Sequence, residues 1–214
     1  MSTSPLYPLW LRVWHWYNAA LFLALVVSGV SMHYAGTAWL LGFNQAVAIH
    51  NVSGSLLALG WIAFVLANLK SDNGRHYLPR PRGLVRDLWV QARYYAYGIF
   101  RDEPHPFHAG PAAKFNVLQQ LSYLGAMYLL MPLLILSGLG FLFSPQLPET
   151  LLGISSLWLV AMTHVLTSYL LVLFLLVHVY IITIGDSLTA NLRAMLTGEH
   201  GTSDDTQETD RHAS

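Results

Sequence analysis

Histidine is the residue type in this chain best suited to hold a metal or move a proton, and ten histidines occur among 214 residues. Cysteine is absent, which excludes thiolate iron–sulfur clusters, zinc ribbons and the thioether attachment of a c-type haem. An ionisable residue within an apolar span is costly and usually functional. The candidate ligands are therefore the five histidines in or at the ends of apolar stretches: His15, His33, His50, His164 and His178.

The fourteen-residue spacing of His164 and His178 puts both rings on one face of a helix. At about 100° per residue they point within roughly 40° of each other, and their axial separation is about 21 Å. That distance is too long for one metal and suits two sites at different depths. In an alternating topology His15 lies at the depth of His178, and His50 lies at the depth of His164. Depth therefore predicts two histidine pairs.

Two histidines from facing helices are the ligands of a six-coordinate haem b. Zinc and non-haem iron usually require further ligands, often carboxylates, which the spans do not supply. Ala19 and Gly54 follow His15 and His50 by four residues and would let a flat macrocycle approach, although helix packing also explains them. His33 has no partner at its depth and is predicted to lie at the outer interface. Neutral histidines bonded to helix carbonyls are the structural alternative.

The elements that must position these histidines are membrane spans. Hydrophobic residues make up 54% of the chain and charged residues 10%, against about 25% charged in soluble domains. Four apolar stretches reach the roughly 20 residues that a transmembrane helix needs, at about 13–32, 46–69, 117–143 and 157–184. The sequence predicts an all-α membrane protein: a four-transmembrane-helix bundle over residues 1–198 and a disordered polar tail at 199–214.

Basic residues predict the orientation. The net charge is zero, so there is no general basic field to attract nucleic acid. Eight of the eleven Lys and Arg residues lie from Lys70 to Lys114, whereas residues 35–45 and 144–156 contain none. The positive-inside rule predicts that both termini and the loop at 70–116 are cytoplasmic. Apolar residues at helical spacing from Leu84 to Ile99 predict an amphipathic interfacial helix there, which either anchors to lipid or docks a partner.

These motifs resemble those of the bacterial cytochrome b-561 family, above all the membrane cytochrome b subunits of hydrogenases, formate dehydrogenases and thiosulfate reductases. The resemblance covers roughly residues 9–196. It depends on Arg12-Val-Trp-His15-Trp, on His50 at the start of the second span, on the His164/His178 pair and on Lys114-Phe-Asn116-Val-Leu-Gln119.

The resemblance implies a diheme b cytochrome of the bacterial inner membrane that exchanges electrons between a partner oxidoreductase and quinone. The partner would be a hydrogenase or an iron–sulfur or molybdenum enzyme. His15 and His178 would hold the haem b on the cytoplasmic side, and His50 and His164 the one on the periplasmic side.

Quinone exchange is expected at the cytoplasmic haem. In the family, the position of Asn116 lines the quinone pocket, and Gln119 lies on the same helical face. His105 and His108 in the preceding loop could carry protons at neutral pH. The alternative for Asn116 is a helix cap, and loop histidines are commonly only solvated.

Two other functions remain open at this point. One is a self-contained superoxide:quinone oxidoreductase of the same four-helix type. The long basic loop favours the partner-bound subunit, because the self-contained members are more compact. The other is a membrane anchor or transporter whose histidines relay protons, which would contain no haem.

Overall fold

The computed structural model describes residues 7–34, 41–79, 81–101, 103–104, 106–107, 114–183 and 190–198. Four helical segments in this part of the chain are long and apolar enough to cross a membrane. They cover Leu9–His33, Phe43–Lys70, Val117–Leu142 and Ser156–Ile182. Each of the four predicted spans is thus present, with its ends within about four residues of the expected ones. The predicted fold class is confirmed, and the tail at 199–214 lies outside the described residues.

In chain order the helices are α1 (Leu9–His33), α2 (Phe43–Lys70), α3 (Leu84–Ala96), α4 (Val117–Gly125), α5 (Met131–Leu142), α6 (Ser156–Ile182) and α7 (Ala190–Thr197). Helix α1 packs along α2, and α5 packs along α6, so the bundle is built from two helical hairpins. A small antiparallel β-hairpin, β1 (Thr150–Leu151) and β2 (Ile154–Ser155), joins α5 to α6. We name the end of the bundle that carries residues 71–116 the loop end, and the opposite end the hairpin end.

The third span is not a single α-helix. A π-helical turn at Ala126–Leu130 separates α4 from α5. Pro132, at the start of α5, has no N–H for the preceding turn, so the hydrogen-bond ladder must rearrange here. The Trp61 indole of α2 donates a 2.7 Å hydrogen bond to the Met127 carbonyl within this turn. The irregular segment therefore lies just before Pro132.

Indole and phenol groups fasten α1 to α2. The Trp14 indole donates a 2.8 Å hydrogen bond to the Gly60 carbonyl, and the Tyr17 hydroxyl donates one of 2.8 Å to the Leu56 carbonyl. The Trp14 ring also stacks on Phe64 at 4.1 Å between centroids. Trp14 thus contacts α2 through both its indole N–H and its ring.

The predicted amphipathic helix at 84–99 is shorter than expected. Helix α3 ends at Ala96, where Tyr97 leaves the helical conformation, and a 3₁₀ turn follows at Gly98–Arg101. Arg93 binds Glu103 through two hydrogen bonds of 2.7 and 2.8 Å, which returns the chain across the helix end. A Cβ at Gly98 would lie 2.8 Å from Glu103 Oε2, so the glutamate lies close against the backbone of this turn. The end predicted at Ile99 is therefore wrong.

One face of helix α3 packs against the bundle. Gln91 and Tyr94 are buried towards the bundle, where α3 packs on α4. Trp89, which the sequence placed on the apolar stripe with Leu84 and Leu88, is 71% exposed. The helix therefore lies against the protein along one face and presents Trp89 away from it.

An apolar layer fills the middle of the bundle. Its buried members are Leu57 of α2, Ala126, Met131 and Leu171 of α6. Leu171 lies seven residues from both His164 and His178, and so occupies the same face of α6 midway between them. The two histidine levels are thus separated by packed hydrocarbon side chains.

Candidate functional site

The structure brings the four span histidines together as two pairs. The ring centroids of His15 and His178 are 6.2 Å apart at the loop end. Those of His50 and His164 are also 6.2 Å apart, at the hairpin end. Each pair joins one ring from the α1/α2 hairpin to one from α6, so the rings face each other across the bundle. This is the grouping by depth that the sequence predicted.

The spacing within each pair fits a metal ion between two imidazoles. A ligating imidazole nitrogen lies about 2 Å from a first-row metal, so rings on opposite sides of one ion have centroids about 6 Å apart. No group of three or more His, Asp or Glu side chains able to hold a metal occurs in the described part of the chain. The donor sets available in the spans are therefore these two imidazole pairs.

The hairpin-end pair has matching surroundings on both sides. The Ser28 hydroxyl of α1 lies 3.0 Å from His50 Nδ1, and the Ser137 hydroxyl of α5 lies 3.1 Å from His164 Nδ1. Ser28 and Ser137 are both buried. The next residue in each helix is glycine, at 29 and 138, and its backbone lies beside the same ring.

The loop-end pair lies among aromatic rings. Phe174 stacks on His178 at 5.9 Å, and Tyr123 meets His178 edge-on at 6.2 Å. Trp16 meets the His15 ring at 5.2 Å. His15 Nδ1 is buried and has no hydrogen-bond partner among the described residues. The two pairs therefore share their spacing and differ in their polar contacts.

Helix α7 lies against the start of α1 at the loop end. The Arg12 guanidinium donates to the Leu196 carbonyl of α7, and the Trp16 indole donates to the Met195 carbonyl at 3.3 Å. Arg12 and Trp16 flank His15, so the groups that bind α7 belong to the same turn as the histidine.

Asn116 and Gln119 form a capping box at the start of α4. The Asn116 carboxamide oxygen accepts from the Gln119 backbone N–H at 2.9 Å, and the Gln119 side chain accepts from the Asn116 N–H at 3.0 Å. The Asn116 amide also donates to the Tyr95 hydroxyl at 3.2 Å. The capping alternative for Asn116 is thus present, and its quinone role stays a prediction. Burial raises the pKa of Tyr95, so this phenol keeps its proton at neutral pH.

A polar cluster joins the loop to the membrane helices near this point. The Asn73 amide donates to the Asn68 carboxamide oxygen at 2.8 Å, and Lys114 donates to Asn73 at 3.3 Å. Burial, and to a lesser extent the positive charge of Arg75, lowers the pKa of Lys114. Burial and then the charge of Lys114 lower the pKa of His76, which favours its neutral form. Hydrogen bonds therefore attach the loop to the end of α2.

Among the described residues, His33 does not join either pair. His33 is exposed at the end of α1, and its ring contacts Tyr34 at 4.8 Å between centroids. His105 and His108 lie outside the described residues. A Cβ at Gly54 would lie 3.8 Å from Leu25 of α1, an ordinary van der Waals distance, so both roles expected for Gly54 stay predictions.

The glycines beside the hairpin-end rings are Gly29 and Gly138, on the helices facing the histidines. Sequence reasoning missed them together with Ser28 and Ser137. The available signal was the dipeptide Ser-Gly near the end of both the first and the third span.

Comparisons with known proteins agree with this architecture. The family model described as prokaryotic cytochrome b561 matches residues 6–198. The Escherichia coli (strain K12) protein YdhU, whose name describes it as a cytochrome, is 38% identical over 195 residues, covering 91% of this chain and 74% of its own length. The family consists of helical membrane proteins that bind b-type haem and transfer electrons. This chain belongs to the prokaryotic cytochrome b561 family.

Proposed function

We propose that the protein is a diheme b-type cytochrome, with one haem held by His15 and His178 and the other by His50 and His164. The observation that carries this proposal is the pair of equal 6.2 Å ring separations, each suited to one six-coordinate iron. Haem iron supplies a centre that gains and loses one electron. The chain contributes the imidazoles, the aromatic and apolar walls and the exclusion of water.

Two sites at different depths suit electron transfer across the membrane. The helical rise between His164 and His178 is about 21 Å, a large part of the roughly 30 Å hydrocarbon thickness. The layer around Leu57, Met131 and Leu171 keeps water and ions out of the space between the levels. A layer of this kind supports electron transfer without an accompanying path for protons.

The test of this function is the haem content of the purified full-length protein. We expect a reduced-minus-oxidised spectrum of low-spin b haem, and a pyridine haemochrome yield of about two haems per chain. One haem per chain would contradict the two-site arrangement. An absence of haem after expression with adequate haem supply would favour the anchor or transporter alternative.

We also propose an orientation in the bacterial inner membrane with both termini and the loop end cytoplasmic. The support is the eight basic residues from Lys70 to Lys114, against none in residues 144–156 at the hairpin end. His15 and His178 then hold the cytoplasmic haem, and His50 and His164 the periplasmic one.

The partner that we propose is a peripheral redox enzyme of the hydrogenase, iron–sulfur or molybdenum type. The support for a partner is the long loop between α2 and α4. Hydrogen bonds between Arg93 and Glu103, and those within the Asn68–Asn73–Lys114 cluster, give this loop a defined structure. Quinone is the proposed second partner. Purification in mild detergent of a lone protein that reduces quinone from superoxide would favour the self-contained oxidoreductase instead.

For quinone we propose a site at the loop end near Asn116. Tyr123 lies seven residues further along the same membrane span, about 10 Å of helical rise, and contacts His178. A quinone bound beside Asn116 would therefore lie close to the proposed haem. The Asn116 amide and the Tyr95 hydroxyl provide hydrogen-bonding groups of the kind that quinone carbonyls need.

Two substitutions of Asn116 separate quinone binding from capping. Asn116→Ala removes both the amide and the cap, whereas Asn116→Ser keeps a side-chain oxygen that can cap the helix. If the amide binds quinone, both variants lose most quinol-linked turnover and keep both haem spectra. Normal turnover of Asn116→Ser would assign the residue to capping alone and would contradict this placement.

A further inference from the structure

The hydroxyls of Ser28 and Ser137 each contact one histidine and two backbone carbonyls of their own helix. Ser28 Oγ lies 3.0 Å from His50 Nδ1 and 2.7 Å from the Ala24 carbonyl oxygen. Ser137 Oγ lies 3.1 Å from His164 Nδ1 and 2.7 Å from the Leu133 carbonyl oxygen. The more distant carbonyls are those of Leu25, 3.2 Å from Ser28 Oγ, and of Leu134, 3.0 Å from Ser137 Oγ. The same arrangement thus occurs twice, on α1 and on α5.

The chemistry of these contacts decides where the imidazole proton lies. A serine hydroxyl has one hydrogen, and a carbonyl oxygen can only accept. Each serine therefore donates its hydrogen to a carbonyl of its own helix, as serines within helices commonly do. The oxygen that remains accepts from Nδ1–H of the facing histidine. Both His50 and His164 are then neutral, with the Nδ1 nitrogen protonated and the Nε2 lone pair free.

The glycine after each serine brings the helix backbone next to the same ring. A Cβ at Gly29 would lie 3.5 Å from His50 Cε1, and a Cβ at Gly138 would lie 3.4 Å from His164 Cε1, both at van der Waals contact. Each ring edge therefore lies close to the backbone of the facing helix. At both places the serine hydroxyl and the glycine backbone contact the same ring, and together they orient it.

The loop-end pair differs from this arrangement. His15 Nδ1 is buried and has no partner among the residues that the structure describes. An acceptor at Nδ1 makes an imidazole a stronger electron donor to the metal at Nε2, and stronger donation stabilises the oxidised metal. The serine contacts at the hairpin end can therefore tune the potential of a haem bound there. His15 has no such contact among the described residues.

We propose that Ser28 and Ser137 are positioning residues that hold His50 and His164 with Nε2 towards the iron and lower the midpoint potential of the haem between them. The inference depends on the proposed function, since it requires a haem at the hairpin end. It assigns to two serines outside the ligand set a part in the redox properties of the site.

The test is a redox titration, followed by absorbance, of the full-length haem-loaded protein and its variants. The wave of the hairpin-end haem is identified as the one missing from His50→Ala. In Ser28→Ala and in Ser137→Ala we expect this wave to move to higher potential while the other wave stays in place. Ser28→Thr and Ser137→Thr keep a hydroxyl and should restore the original value. Ser31→Ala is the matched control, because Ser31 is equally buried in α1 and donates to the Val27 carbonyl in the same way.

The experiment distinguishes a failure of this inference from a failure of the proposed function. If His50→Ala removes no haem, the ligand assignment fails before the serines are considered. If it removes one haem but neither serine-to-alanine variant moves a wave, the positioning role of the serines is overturned. An equal shift in Ser31→Ala also overturns it, since burial and not the histidine contact would then be the cause. Loss of the haem from both alanine variants with retention in both threonine variants would support the requirement for the hydroxyl.

Discussion

Replacing His50 or His164 with alanine is expected to lower the haem content from about two to about one per chain, and replacing His15 or His178 to remove the other haem. In the proposed arrangement each ring would supply one of the two histidine ligands of a haem, so either loss would leave an incomplete site. The pairs lie at opposite ends of the bundle, so the second haem should keep its spectrum. Pyridine haemochrome analysis and low-temperature spectra measure both effects.

His33→Ala is the control for these variants. His33 lies on α1 like His15, but it is exposed and contacts Tyr34 rather than another histidine. The variant should retain both haems. Loss of the same haem from His15→Ala and His50→Ala would contradict the pairing, because these histidines belong to different levels.

Gly60→Ala is expected to destabilise the α1/α2 hairpin by about 1–3 kcal/mol, the usual cost of overpacking a buried contact. An added Cβ would lie 2.6 Å from Tyr17 Cε1, well inside van der Waals contact. The ring cannot turn away without giving up the hydrogen bond from its hydroxyl to the Leu56 carbonyl. Thermal unfolding in detergent, followed by the haem absorbance, measures the loss.

Gly125→Ala is the matched control for this substitution. Gly125 is also in a membrane helix, and a Cβ there meets nothing within 4 Å. It should unfold at the temperature of the unmodified protein or slightly above it, because alanine favours helix. The double variant Gly60→Ala with Tyr17→Ala should be less destabilised than the two single effects added together. Equal stability of Gly60→Ala and Gly125→Ala would contradict the close packing at Tyr17.

The spans and the histidine groups could be predicted because both follow from one-dimensional rules. The length of an apolar run sets a span, and alternation across the bilayer sets the depth of each histidine. Helical periodicity alone was enough to place His164 and His178 on one face of a helix. The ring separations confirm the grouping of all four histidines by depth, although not their role as ligands.

The surroundings of the rings could not be predicted in this way. Around His50 the sequence reasoning looked one turn along the same helix, at Gly54, whereas the residues in contact are Ser28 and Gly29 on the facing helix. Contacts between helices depend on rotation and axial offset, which hydropathy does not encode. The end of α3 was misjudged for a related reason, because Glu103, outside the helix, binds Arg93 and turns the chain back.

The fourteen-residue spacing of His164 and His178 also determines how the protein would respond to voltage. With a haem at each level, an electron passing between them crosses about two-thirds of the hydrocarbon thickness. One charge crossing the full thickness changes in energy by about 2.3 kcal/mol per 100 mV, so this step changes by roughly 1.5 kcal/mol. The ratio of electrons on the hairpin-end haem to electrons on the loop-end haem would then vary about tenfold for each 100 mV. A turnover in which the electron enters at one haem and leaves from the other would be electrogenic, and an energised membrane would drive electrons towards its positive face.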